Sequence, residues 1–390
     1  MYRDYSTSHQ KTAGFIRYSC ALLFMLFSFC YLFFLQGEIL AEAQFVYSKG
    51  VTSYDILIGA IIITVILQIV QWIVSMLSRL PSRAHALSYL PSMLLLAMLT
   101  DVNEEAIEHF SFGAWVWVTP CILVAYILLV IFVKKVDHDN SVDSRGIKSQ
   151  IYPNFVILFL LILCVGAIPQ TTDVYHYELK TERLILAKDY EGAAAVGKKS
   201  LRATARLTQL RMYALSKQDL LAENLFDYPQ YYGSKGLLDI ADTSSLERFT
   251  TQDICFHLGA FCGKSIQTAD RYYRLMLGDS ICNQHTADYY LCSLLLDKKL
   301  PEFLRQLPRY YDLSDSIAYE SLPRAYREAL LQTGKKTDFD TDARFRDYNE
   351  LKASLKDETE RINKTHREFG NTYWWYYDYS HFAKGELQKR

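Results

Sequence analysis

Apolar positions are distributed unevenly along the 390-residue chain, and the unevenness divides it. Four runs are long and nearly free of charge: 14–35 (with Arg17 near its start), 56–77, 113–133 and 151–168. At about 1.5 Å per residue each approaches the roughly 30 Å hydrocarbon core of a bilayer, so each predicts a membrane-spanning helix. A fifth run, 86–100 (ALSYLPSMLLLAMLT), reaches only about 22 Å by the same arithmetic and contains Pro91. After residue 170 the pattern changes. Apolar and aromatic residues recur at three- and four-residue steps, as in Leu207, Leu210, Tyr213 and Ala214, and short polar turns such as AKDYEG, SKQDL and LDKKLPE separate them. The fold class read from this is all-α: a five-helix transmembrane bundle over 1–170, then an α-solenoid of antiparallel hairpins over 171–390.

Charge between the runs decides the count of five. Lys and Arg accumulate in short cytoplasmic loops. Arg3, Lys11 and Arg17 precede or open the first run, Arg79 and Arg83 follow the second, and Lys134, Lys135, Arg145 and Lys148 follow the fourth in chain order. The remaining loops hold Lys49 against Glu38, Glu42, Asp55, Asp101, Glu104, Glu105 and Glu108. Counting 86–100 as a span puts every basic loop on one side, the N-terminus in the cytoplasm and the tail outside it. A cleavable leader ending at Ala41-Glu42-Ala43 is the competing reading of the first run; its apolar stretch is long for a leader, and the tail faces outward either way.

The tail is electrically neutral. The first 168 residues hold 10 of the 42 Lys and Arg and 11 of the 43 Asp and Glu, leaving 32 of each in the remainder. That balance excludes a nucleic-acid footprint, which needs a basic stripe. Cys255, Cys262, Cys282 and Cys292 lie in the tail, where the topology permits disulfides. On one helix Cys255 and Cys262 would stand about 10 Å apart along the axis, too far to bond to each other, which leaves two readings: free buried thiols, with at least equal weight, or a bridge from that helix to Cys282 or Cys292.

Candidate chemistry is sparse. The loop DVNEEAIEHF crowds Asp101, Glu104, Glu105, Glu108 and His109, with Glu105 and His109 at a spacing that shares one helix face. A solvated acidic loop is the simpler reading. An envelope enzyme of glycosyltransferase type is the alternative. Gln68 and Gln71, one turn apart within the second run, are expected to hydrogen-bond across the bundle, because no ionisable residue accompanies them. Phosphate-binding loops, nucleophile elbows and HExxH are absent, and His257, His285, His366 and His381 are scattered singly. No catalytic residue, metal site or cofactor is assigned.

RLILAKDYEGAAAVGKKSL, residues 183–201, resembles the turn of a tetratricopeptide repeat, with Tyr190 and Ala193 in its aromatic and small positions and Tyr177 and Leu184 in its large first-helix positions. Lys180-Thr181 replace the repeat's Leu-Gly pair and Ala205 its closing proline; Leu258-Gly259 followed by Ala269 and Tyr272-Tyr273 is a second, shorter echo. With YALSKQDLLAENLFDYPQ, LPRAYREALL and FGNTYWWYY, the whole chain resembles an uncharacterised bacterial family of multi-span membrane proteins with tetratricopeptide-like tails. The resemblance implies no activity. It implies a chain integral to the bacterial cytoplasmic membrane.

In NTYWWYYDYSHF, Tyr373, Trp374, Trp375, Tyr376 and Tyr377 follow one another without a spacer. Gly370 is expected at a left-handed helix stop and Asn371 as the next N-cap. At 100° per residue the five aromatics then cover every face of the helix, which predicts burial as a cap closing the array; an aromatic platform for a sugar ring or a partner's apolar segment is the alternative. The function expected is that of a membrane-anchored scaffold. Its partners are the lipid bilayer, a protein or extended polymer, and possible glycan, with Tyr231, Tyr232, Tyr272, Tyr273, Arg309, Tyr310, Tyr311 and the 373–377 aromatics as anchors.

Overall fold

The structure is a computed structural model and describes residues 2–101, 113–139, 147–167, 173–240, 248–263, 268–278, 283–314, 316–333 and 343–387. It is helical throughout, with no strand among the described residues. The chain divides into two compact units, 1–172 and 173–390.

In the first unit three helices are long and apolar enough to cross a membrane: Gly14–Leu35, Ile56–Ser78 and Trp115–Val136. The apolar helix Ile151–Ala167 is shorter. The 86–100 run is not one helix. Ser82–Tyr89 is a 3-10 segment with a kink at Ala84, and only Leu90–Thr100 is α-helical, 11 residues or roughly 16 Å. Pro91 explains where the α-helix starts, since a proline fits its first turn and lacks the N–H that a preceding helix would need.

Irregular backbone away from water must have its polar groups satisfied by protein. The carboxamide of Asn154 accepts from the Ala86 N–H at 2.7 Å and donates to the Ser82 carbonyl at 2.8 Å. Gln68 donates to Gln71 at 2.8 Å, Gln71 donates to the Ser88 hydroxyl at 2.9 Å, and Ser92 donates to the Leu67 carbonyl at 3.0 Å. Gln71, held by Gln68, therefore ties the helix Ile56–Ser78 to the 3-10 segment.

The second unit is built on three hairpins with one turn. The helices Asp173–Leu186, Ala205–Ser216 and Gln284–Leu296 each stop in a residue with left-handed φ, Lys188 (62°), Asp219 (59°) and Lys298 (57°). In each, the next amide reaches five residues back: Asp189 to Leu184, Leu220 to Leu215, Lys299 to Leu294. This is the helix-terminating geometry usually given to glycine. Each turn is followed by a short helix: Tyr190–Ala195, Leu221–Asn224 and Leu300–Gln306. A long helix and a short one per hairpin depart from the two full helices of a tetratricopeptide repeat. In the 183–201 segment, Ala193 is fully buried as the small position requires, but the helix that holds it ends after six residues.

At two helix ends the structure corrects sequence expectations. Thr251–Leu258 stops at Gly259, whose φ of 121° reverses the chain, so Leu258-Gly259 is a terminator and not the first-helix pair of a second repeat. The reversal brings Cys262 back to Cys255, with Cα atoms 5.9 Å apart, and the two form a disulfide. The expectation that they stand too far apart assumed a helix that does not continue. At the other site Gly370 is right-handed (φ −61°), and it is the Thr372 hydroxyl, not Asn371, that accepts from the Trp375 amide at the start of Tyr373–Leu387.

The main core of this unit runs through the three hairpins and includes Tyr373 and Tyr376. A smaller core gathers Leu331, Tyr348, Phe369, Trp374, Trp375 and Tyr379. The aromatic helix thus lies between two apolar clusters and gives each of them one side.

Candidate functional site

The second unit holds a cavity of about 450 Å³, within the range of small-molecule sites. One wall comes from the segment after the first hairpin and from 226–231; the other from Arg344, the end of Glu358–Phe369 and the aromatic helix.

Gly197 shapes the first wall. Its φ is 58°, and a Cβ there would stand 2.8 Å from the Tyr177 ring and 2.9 Å from Arg211 Nη2, so only glycine makes this turn without displacing both. The turn delivers Lys198, whose Nζ lies 5.7 Å from the Tyr228 ring centroid and 3.5 Å from Asp227 Oδ2. Arg324 holds the other oxygen of Asp227 at 2.7 Å. Behind Tyr228, Arg211 is wholly buried, donates to the Val196 carbonyl at 2.7 Å and sits 5.3 Å from the same ring; its pKa is lowered by desolvation. The Tyr228 hydroxyl donates to the Ala194 carbonyl at 2.8 Å, which fixes the ring as a wall.

On the second wall Arg344 donates to the Asn371 side chain at 2.8 Å and lies over the Phe369 ring. His366 packs on Trp375 with ring centroids 4.4 Å apart. Two wall residues that are more than nine-tenths buried carry an unpartnered polar atom: Trp375 Nε1, a donor, and Gln230 Oε1, an acceptor. The Gln230 amide nitrogen is committed to the Leu225 carbonyl at 2.7 Å, so its oxygen is the free end.

Of the residues expected as anchors, Tyr231, Trp375 and Tyr376 line this cavity. Tyr232 is exposed beside it in sequence, with its hydroxyl on the Ala203 carbonyl. The others are placed elsewhere. Tyr272 and Tyr273 are fully buried in the main core, and the Tyr272 hydroxyl donates to the Cys255 and Ala260 carbonyls across the disulfide loop. Surface anchoring is closed to both, because helical spacing turned them inward. Tyr373 and Trp374 are likewise buried, the Trp374 indole donating to the Glu328 carbonyl at 2.8 Å. The Tyr377 carbonyl accepts from Lys298 at 2.7 Å. Arg309 is exposed on a 3-10 turn and Tyr310 is half-buried. Tyr311 is tied down: it and Tyr326 both donate to Asp288 Oδ1, at 2.6 and 2.9 Å, and burial raises the Asp288 pKa.

Sequence reading missed Lys198, Asp227, Gln230, Arg344, Arg367 and Asn371. The one local signal was the aromatic-rich FDYPQY with its single proline. It also missed that His257 and His285 meet, with rings 4.4 Å apart, while Ser216 Oγ and His257 Nε2 are 2.9 Å apart. Ser216 is buried, and desolvation, then Lys217 and His285, push the His257 pKa down to about 3, which favours the neutral His257 imidazole. Of the acidic loop, residues 102–112 lie outside those described; the Asp101 carboxylate accepts from the Trp115 indole at 2.8 Å.

No curated protein and no solved structure matches the chain. A family model described as "Family of unknown function (DUF6057)" matches residues 104–263 and 261–380, well over half of the chain. The chain therefore belongs to that family of unknown function.

Proposed function

We propose that the protein is a membrane-anchored helical-repeat scaffold of the bacterial cytoplasmic membrane. Five spans, with 86–100 packed as the broken third, place its tail outside the cytoplasm, where it holds a protein or extended polymer. The observation that carries the reading is the cavity, an aromatic and charged recess in a unit otherwise made of packed hairpins. Recesses of this composition bind through aromatic and arginine anchors. The Cys255–Cys262 disulfide supports the outward placement, since such bonds persist in oxidising compartments. The shared hairpin turn supports the repeat reading.

In cells that depend on the protein, truncation after Ile168 should abolish function, whereas alanine at Glu104, Glu105 and His109 together should leave it intact. A triple variant that is inserted and folded but inactive overturns the scaffold in favour of an envelope enzyme acting on a lipid-linked or glycan substrate. Reporter fusions after Ile168 and Phe382 should both be active only outside the cytoplasm.

A further inference from the structure

We infer that the disulfide-closed tip of the second unit, residues 255–263, is a lipid-insertion knob that seats Phe256 and Phe261 in the interfacial layer of a bilayer. The inference goes beyond the scaffold reading, since it holds whatever the tail binds and on whichever side of the membrane it lies.

Two large apolar rings stand in the open here. Phe256 is 62% and Phe261 58% exposed, and their centroids are 6.0 Å apart, so they form one patch. Neither belongs to an apolar cluster of the unit. Phe256 follows the buried Cys255 and Phe261 precedes the buried Cys262, so the disulfide pins the backbone beside each ring. No charge accompanies them: CFHLGAFCG, residues 255–263, contains no Asp, Glu, Lys or Arg. Its one imidazole, His257, turns to Ser216 and the His285 ring, and burial favours the neutral form.

The backbone of the tip points to what covers the patch. The Tyr272 hydroxyl donates to the Ala260 carbonyl at 2.8 Å, Asn283 to His257 at 3.0 Å and Thr286 to Leu258 at 2.5 Å. The Gly259 and Ala260 amides turn back to the Phe256 and Cys255 carbonyls. Gln252 closes the end of the loop, donating to the Cys262 carbonyl and accepting from its N–H, both at 3.0 Å. A protein interface supplies hydrogen bonds to the surface it covers. Hydrocarbon supplies none and requires that backbone groups be satisfied from within, as they are along this loop.

Area and tethering agree. Two phenylalanines exposed to this degree offer on the order of 200 Å² of apolar surface. A stable protein interface buries about 800 Å² per partner, so the patch is too small to hold a second copy by itself. For a bilayer it need not act alone. The same chain carries three helices long and apolar enough to cross a membrane, which keeps a lipid surface at high effective concentration.

The test uses the full-length protein in phosphatidylcholine nanodiscs containing a trace of phosphatidylcholine with a diazirine near the head-group end of one acyl chain. That is the depth, about 5–10 Å, at which interfacial anchors sit. After irradiation and trypsin cleavage at Arg248 and Lys264, mass spectrometry should find lipid adducts on peptide 249–264, at Phe256 or Phe261. Phe256→Ser with Phe261→Ser should cut those adducts at least about five-fold, while adducts on the helix Ile56–Ser78 stay unchanged. Both rings lie outside the core, so the double variant folds, and the wild-type result stands without it. Adding anionic phosphatidylglycerol should shift the yield by less than about two-fold, because the tip carries no charge. Light scattering in detergent should give wild type and variant the same mass, and p-benzoylphenylalanine in place of Phe256 should cross-link no protein in irradiated cells. Absence of adducts on the peptide, adducts undiminished in the double variant, or a several-fold gain with phosphatidylglycerol overturns the inference. So does a lower mass for the variant, which gives the patch to a second copy, or a discrete protein adduct at position 256, which gives it to a partner. Truncation after Ile168 does not bear on these results: the scaffold can fail while the peptide is labelled, and can stand while it is not.

Discussion

The two units of this chain invert one another. In the first, Trp72, Leu77 and Trp117 are 61%, 77% and 79% exposed, while Ser88, Ser92, Thr100 and Asn154 are fully buried. In the second, Trp374 is 1% exposed, and Tyr272, Tyr289 and Tyr326 not at all, while most lysines and arginines face outward. Water alone does not account for the first arrangement, because dozens of large apolar side chains would face it unsatisfied. Two solvents would account for the pair. The first unit, with three helices long and apolar enough to cross a membrane, keeps its polar residues in its interior, as suits helices whose lipid-like exterior gives them no hydrophobic reason to associate. The second spends tyrosine and leucine there.

The sharpest way to break this comparison is one substitution made twice. Trp374→Ala should destabilise the second unit by about 3–5 kcal/mol, as expected for deleting a buried tryptophan. Trp117→Ala in the first should cost under about 0.5 kcal/mol in detergent, since its outward ring is replaced by another apolar surface. Thermal unfolding of the two purified variants separates them. Equal losses would mean that the outward face of the first unit is covered by protein.

A smaller effect is expected at the polar interior. Asn154→Leu is nearly the same size and more apolar, yet removes the bonds to Ala86 and Ser82, and should lower stability in detergent by about 1–3 kcal/mol. An unchanged melting temperature would show that apolar packing alone holds the 3-10 segment.

The last test is a pH dependence of the second unit. His257 titrates at about 3 when folded against 6.5 for a free histidine. The folded pKa is the lower one, so its neutral form is favoured by folding. Stability is complete above pH 6.5 and falls as the unfolded chain takes up the proton between 6.5 and about 3. At pH 5 the loss is about 2 kcal/mol, from 1.36 kcal/mol per unit over 1.5 units. His257→Gln should flatten that part of the profile; a wild-type profile already flat there would place His257 in contact with water.

Much of this architecture is legible in the residues because it repeats. Runs of about twenty apolar residues have few readings, and the polar turns AKDYEG, SKQDL and LDKKLPE each join two helices. Gln71 bonds across to Ser88, as an amide in an otherwise apolar helix suggests. What was not legible depends on single endings. A left-handed Gly259 decides whether Cys255 and Cys262 are 10 Å apart or bonded. The five-aromatic run reads as buried from composition alone, but that it serves two separate clusters follows only from where Tyr348 and Phe369 lie. The cavity was least visible: Lys198 and Trp375 are far apart in sequence, and nothing near either announces the other.

The aromatic helix has a consequence for how the protein is made. Residues 373–380 leave the ribosome after every hairpin they pack against, yet they supply Tyr373 and Tyr376 to one cluster and Trp374, Trp375 and Tyr379 to the other. Until that stretch has emerged and docked, both clusters remain open, and with them the cavity. A nascent chain is thus kept from completing its tail early, and a prematurely terminated product exposes two greasy clefts for quality-control proteases to find.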